Sequence, residues 1–234
     1  MLRKFPLNNT LESTQDFSAI QLILFDCDGT LTDSHGAIAL AMQNAFTSLG
    51  LAKPDYDEVL GIIGLSLMAA VQALAPEDTS EEMKEKLCLA YSEHYRSAEA
   101  DLSLYPQVIE TLQTLTERGY LMGVVTGKSS RGLVRVLEQF DLHRFFPVWR
   151  TADMCHSKPH PAMALECMNE MGAIVGNTVV VGDSRFDIQM ANAAGMRGLG
   201  VSFGVESAEV LFEQGAFDVI DTFPEVLNHF PDLR

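Results

Sequence analysis

The chain has 234 residues, 47% of them apolar, which is enough for a packed core and too much for a disordered segment. Its 16 Lys and Arg face 32 Asp and Glu, a formal net charge of -16; this argues against nucleic-acid backbones and anionic membrane surfaces as partners, since both attract basic patches. Cysteines at 27, 88, 155 and 167 form no Cys-x-x-Cys pair, so free thiols in a reducing, cytoplasmic compartment are expected.

Residues 1–18 are mostly polar and carry no long hydrophobic run of the signal-peptide kind, so a loosely ordered extension is expected there. No later stretch reaches the length of an apolar membrane span. Leu22-Ile23-Leu24-Phe25 reads as a buried strand, ended by the turn signal at Gly29. Asp26 and Asp28 follow it. Two residues apart, they start on one face of the extended chain, while Cys27 between them points the other way, into packing. Like charges so close resist joint ionisation, so the pair needs a cation, a proton or a reaction.

From Ser34 to about Leu102 the pattern is helical. Ile38, Met42, Ala45, Phe46 and Leu49 make one apolar stripe ended by Gly50; a second helix spans Leu67–Ala75 before Pro76; Thr79-Ser80-Glu81-Glu82 caps a third that runs to about Ser97. The segment is too long for a simple crossover and reads as an inserted helical domain. Beyond it strands and helices alternate: a helix after Tyr105-Pro106 through Arg118, strand Leu121–Thr126, helix Ser129–Phe140, strand Val148–Arg150, helix Pro161–Met171, strand Thr178–Gly182, helix Arg185–Ala194, strand Arg197–Val201, helix Ser207–Gln214, strand Phe217–Ile220 and a terminal helix. That alternation predicts an α/β fold, a Rossmann-like parallel sheet flanked by helices. The division is 1–18 extension, 19–33 with 103–234 core, and 34–102 insert.

In such sheets ligands lie beyond the carboxyl ends of the strands. Those ends deliver Asp26 and Asp28, then Thr126-Gly127, then Lys158-Pro159 after a loop, then Asp183 with Asp187 four residues on. Acids, a hydroxyl and a lysine at one edge suit a metal-bound anion, and oxygen-only ligands favour magnesium over zinc. Gly123 to Ser129 misses the P-loop pattern, because only three residues separate Gly123 and Gly127 and Met122 stands where a glycine is required. Lys128 reads as a solvated residue at the start of a helix, with substrate contact as the alternative.

Asp-x-Asp-Gly-Thr-Leu-x-Asp-Ser at 26–34, Thr126-Gly127, Lys158-Pro159 and Gly182-Asp183-x-x-x-Asp187 resemble, in order, the four motifs of the haloacid dehalogenase superfamily. The helical insert resembles the α-helical cap of its phosphoglycolate-phosphatase-like branch. The resemblance covers about residues 20–230 and implies a magnesium-dependent phosphatase for a small phosphorylated metabolite, phosphoglycolate or a sugar phosphate. By that resemblance Asp26 is the nucleophile and Asp28 the proton shuttle; Thr126, Gly127 and Lys158 bind the phosphoryl group. The metal falls to the Asp26 carboxylate, the Asp28 backbone carbonyl and Asp183, with Asp187 in the outer shell.

The acid at 28 favours phosphoryl chemistry over dehalogenation. A β-phosphoglucomutase-like enzyme would carry a histidine where Ile38 stands, and His35, three residues early, reads as a surface or hinge residue. Phosphomutase, pyrophosphatase and a catalytically silent binding relative are the alternatives. Gln107 departs from the family, whose members commonly place Gly after the proline.

Overall fold

The computed structural model describes residues 20–233, so the N-terminal extension lies outside it. Six parallel strands form the sheet: β1 (Leu22–Phe25), β4 (Leu121–Thr126), β5 (Val148–Thr151), β6 (Thr178–Gly182), β7 (Arg197–Val201) and β8 (Asp218–Ile220), in the order β5-β4-β1-β6-β7-β8. β1 is central, and alternate residues serve opposite faces. Ile23 and Phe25 pack with Leu112, Val124 and Leu133 on one side. Leu22 and Leu24 pack with Met163, Val180 and Met190 on the other. Burial on both faces is why the strand is an unbroken apolar run.

The covering helices are α5 (Val108–Arg118), α6 (Ser130–Gln139), α7 (Ala162–Glu170), α8 (Arg185–Ala193) and α9 (Ala208–Glu213). The terminal segment Phe223–Asn228 is a 3-10 helix instead of the expected α-helix. At six residues, with Pro224 at its start, it is long for 3-10 geometry, which is mostly confined to runs of three or four. Gln107 caps α5 with φ 61 and ψ 20, a left-handed conformation that costs a residue with a Cβ roughly 1–2 kcal/mol. Gln107→Gly is therefore expected to stabilise the fold by about 0.5–1 kcal/mol after glycine's larger unfolded-state entropy is deducted; a lowered urea midpoint would contradict it.

Between β2 (Thr32–Asp33) and β3 (Ser103–Leu104) lies the helical insert: α1 (His35–Ser48), α2 (Tyr56–Leu60), α3 (Leu67–Leu74) and α4 (Glu81–Ala98). β2 and β3 pair antiparallel, Thr32 opposite Leu104, so both crossings into the insert run side by side. The insert has its own apolar cluster, including Met42, Phe46, Val59, Val71 and Leu87. Ser66 and Ser80 cap α3 and α4 by accepting from the Ala69 and Met83 N–H groups. The sequence pattern does not predict α2: its five residues are too few to show a period, and its start is marked by the Glu58 carboxylate accepting from the Asp55 N–H. No helix among the described residues is long and apolar enough to cross a membrane.

Candidate active site

Register sets the site. Phe25 is level with Val124 of β4 and Val181 of β6, so the residues just beyond them leave the sheet along one edge, where the strand order switches direction about β1. Asp26 is held there by its N–H to the Val181 carbonyl (2.9 Å). Cys27 is fully buried in the core. The chain then turns sharply, with the Leu31 and Thr32 N–H groups both bonded to the Cys27 carbonyl. Gly29 makes that turn possible: its φ is +85, and a Cβ there would lie 2.1 Å from Asp183 Oδ2.

Behind Asp26 the carboxylates of Asp26, Asp183 and Asp187 gather, each buried, each with an oxygen within 4.8 Å of the others. Lys158 Nζ lies 2.7 Å from Asp26 Oδ1 and 2.6 Å from Asp187 Oδ1. Asp183 accepts from Thr30 Oγ1 (3.0 Å) and the Val205 N–H (2.9 Å). Asp187, in the first turn of α8, accepts from the Ser184 N–H and hydroxyl (3.1 and 2.6 Å). Two of the three acids thus share one lysine, and Asp183 stands beside them without it. Burial pushes the Asp26 carboxyl well above the usual range; Lys158 opposes this, and Asp187 and Asp183 reinforce it. Burial raises Asp187 as well, again against Lys158. For Lys158 burial works against the charge, but Asp187 and Asp26 outweigh it and hold the ammonium above its ordinary range.

The residues fit a divalent cation. The donors are all carboxylate oxygens, suited to a hard ion, and Asp26 Oδ1, although paired in charge with Lys158, accepts no hydrogen bond. Asp187 belongs to this trio as closely as Asp183 does, although the resemblance placed it further out. The Asp28 side chain does not belong: its Oδ1 accepts from Ser34 Oγ at 2.6 Å and lies 2.8 Å from Lys128 Nζ.

Lys128 corrects the expectation of a solvated helix start. Its side chain is only 8% exposed, and it donates to the Tyr95 hydroxyl of α4 at 2.9 Å, so it links the insert to Asp28. The Thr-Gly-Lys-Ser run marks the lysine as near an anion site, but its partner lies 33 residues back on another element, which no local pattern reveals. His35 is not a surface residue either: its side chain is 14% exposed, with Nε2 3.6 Å from Asp183 Oδ2. The tight turn at Gly29 brings the start of α1 under the Asp183 carboxylate. His156 and His160 pair their rings at 4.7 Å in the loop flanking Lys158 and take no part in the cluster.

Asp26, Asp28, Thr126 and Gly127 line one cavity of about 700 Å³. Thr126 is buried at the end of β4, its hydroxyl accepting from the Lys128 N–H at 3.2 Å. The opposite wall comes from the insert, through Ile38, Met42, Leu65 and Tyr95 among others. Contact between the two parts is close: a Cβ on Gly127 would meet the Leu65 carbonyl at 2.3 Å, so only glycine lets the Gly61–Ser66 loop approach the end of β4.

Comparison with known proteins agrees with this geometry. A family model described as haloacid dehalogenase-like hydrolase matches residues 23–201. A protein named "Probable phosphatase IndB" from Dickeya dadantii is 32% identical over 211 residues, 88% of this chain and 92% of that protein. A "Phosphoglycolate phosphatase" from Pasteurella multocida is 32% identical over 217 residues, covering 89% and 97%. The crystal structure of a hydrolase from Pseudomonas syringae superposes with a TM-score of 0.82 at 24% identity, covering 89% of this chain and 97% of that one, and shares the fold. Four motifs in order, brought to one sheet edge, and a family match over most of the chain lead to one conclusion: this chain belongs to the haloacid dehalogenase-like hydrolase family.

Proposed function

We propose that the chain is a magnesium-dependent phosphatase that hydrolyses a small phosphorylated metabolite, phosphoglycolate or a sugar phosphate, through an aspartyl-phosphate intermediate. The observation that carries this reading is the division of labour between two neighbouring carboxylates. Asp26 sits beside Lys158 and the buried acids, while Asp28, two residues on, is held apart by Ser34 and Lys128 yet lines the same cavity.

Asp26 attacks phosphorus and forms the acyl phosphate, splitting one displacement into two. Asp28 protonates the departing alkoxide and then takes a proton from the water that releases phosphate. Thr126 and Gly127 receive the phosphoryl oxygens, and Lys158 balances the charge that builds on them. The Asp26 and Asp183 carboxylates, with the Asp28 carbonyl, would hold magnesium, with Asp187 in the outer shell through its bonds to Lys158 and Ser184; the ion would supply charge neutralisation at the transferring phosphoryl group. The insert, residues 34–102, acts as a cap over the core of 19–33 and 103–234. It excludes water while closed and moves on the β2–β3 ribbon. A reduced, cytoplasmic setting suits the four free thiols.

The test is a panel of phosphate monoesters assayed with the purified protein, with and without magnesium. Turnover of at least one ester that is lost with EDTA supports the proposal; no hydrolysis of any ester refutes it in favour of a binding protein, and release from pyrophosphate alone indicates a different leaving group. Magnesium should also raise Tm, since an ion bound only by the folded state at a hundred times its Kd contributes about 2.7 kcal/mol. Tyr95→Phe, which removes the cap's bond to Lys128, should lower stability by about 1 kcal/mol and reduce kcat severalfold. A variant with wild-type kcat would show that the link does not serve catalysis.

A further inference from the structure

A second charged feature of the cavity is unused by this chemistry. Among the described residues, Arg135, Arg144, Arg150 and Arg185 pair with carboxylates, Arg118 donates to the Leu227 and Phe230 carbonyls, and Arg197 lies over the Phe217 ring. Arg96 and Arg131 have no partner among the described residues, in a chain where acids outnumber bases two to one. Both are exposed, and both line the cavity that holds Asp26 and Thr126.

Their placement follows from one ion pair. Arg135 of α6 grips Glu99, at the end of α4, through Nε and Nη2 at 2.6 and 2.8 Å. This two-pronged pair ties the cap to the core. Arg96 is three residues before Glu99 and Arg131 four before Arg135, so each stands one turn from the clamp on its own helix. The helix dipole accounts for Arg96, a cation in the last turn of α4. It does not account for Arg131, which lies in the first turn of α6, where the dipole disfavours a cation and favours an anion. The α6 N-terminus is already met by the Asp153 carboxylate, which accepts from the Ser130 N–H and hydroxyl at 2.8 and 2.9 Å, so the two unpartnered guanidiniums, one from the insert and one from the core, make the site for a negative group.

Phosphoglycolate has about nine non-hydrogen atoms and fills on the order of 270 Å³ at the roughly 30 Å³ that a water occupies in the liquid. The cavity measures about 700 Å³.

We propose that Arg96 and Arg131 form a subsite for a second anionic group, a carboxylate or phosphate, on the leaving alcohol of a phosphate ester longer than phosphoglycolate. This rests on the phosphatase reading above and names its substrate class. Each arginine comes from a different part of the protein, so such a substrate also bridges cap and core.

Matched esters test it: 3-phosphoglycerate against glycerol 3-phosphate, and fructose 1,6-bisphosphate against fructose 1-phosphate. The anionic member of at least one pair should have the higher kcat/KM by tenfold or more. Arg131→Gln and Arg96→Gln should each cut that ratio about tenfold, mainly through KM, whereas Arg144→Gln, at a distant surface pair, should not. Equal kcat/KM within both pairs, or variants that lose both members alike, overturns the subsite while leaving the phosphatase standing. Should no ester turn over, the phosphatase reading fails, and calorimetric binding of the same pairs still decides the subsite. A tenfold preference for the anionic member that Arg131→Gln abolishes supports it; equal affinities overturn it.

Discussion

Asp26→Asn should abolish turnover, by on the order of 10⁴-fold or more, as removal of a nucleophile does elsewhere. Asparagine keeps the shape of the side chain but cannot form an acyl phosphate, and it leaves the Lys158–Asp187 pair (2.6 Å) in place. The variant should be inactive without being unfolded. It should even be as stable as the wild type or more so at neutral pH. The folded-state pKa of Asp26 is raised above the ordinary 3.8, chiefly by burial. A carboxyl of that kind contributes its full stability below the unfolded pKa and loses it as pH rises through the folded one. At neutral pH the buried Asp26 carboxyl thus stabilises less than it does in acid, a deficit that asparagine removes. The difference in Tm between variant and wild type should shrink as the pH is lowered toward 3.8. Substantial phosphatase activity in the variant would refute the covalent mechanism, and a large fall in Tm would show that the loss of activity came from misfolding.

Lys158→Met should produce the largest change in stability. The lysine is fully buried and faces Asp26 and Asp187, themselves buried, with Asp183 in the same group. Methionine fills similar space without the charge, so three carboxylates are left facing one another. Breaking a buried charge pair in this way costs about 3–5 kcal/mol, read as a lower urea midpoint at unchanged slope. Acid should restore part of the loss, because protonating the carboxyls removes the repulsion. Magnesium should do likewise by replacing the missing cation. Activity should fall by at least about 10²-fold, the usual cost of losing a donor that stabilises developing charge. Adding Asp187→Asn to the methionine variant should recover stability but not activity. A single variant as stable as the wild type would mean that the buried acids are balanced by something other than Lys158.

Much of the fold was legible before any coordinates. Three strands, Leu121–Thr126, Thr178–Gly182 and Arg197–Val201, coincide with the observed β4, β6 and β7, because buried parallel strands are short apolar runs with sharp polar ends. α1 and α4 were legible from period and caps. What escaped were elements too short to carry a pattern: α2, and the two-residue strands β2 and β3 that exist only because they pair with each other across 70 residues. The final 3-10 helix has a helical composition; only its pitch was missed.

The candidate site divides in the same manner. Asp26, Asp28, Thr126, Gly127, Lys158, Asp183 and Asp187 were each marked by their position at a strand end or in the loop beyond it, since a parallel sheet sends all its carboxyl ends to one edge. Sequence by itself therefore determined which acids, which hydroxyl and which lysine come to the sheet edge. Tertiary structure alone decided how the charges pair. Lys158 joins Asp187 to Asp26, Lys128 joins Asp28 to Tyr95, and Arg135 joins Glu99 between core and insert. Those choices depend on distances between elements far apart in the chain, and they leave Arg96 and Arg131 without partners at the cavity wall. Strand ends are set by local pattern. Partners across a cavity are set by packing, which no local pattern encodes.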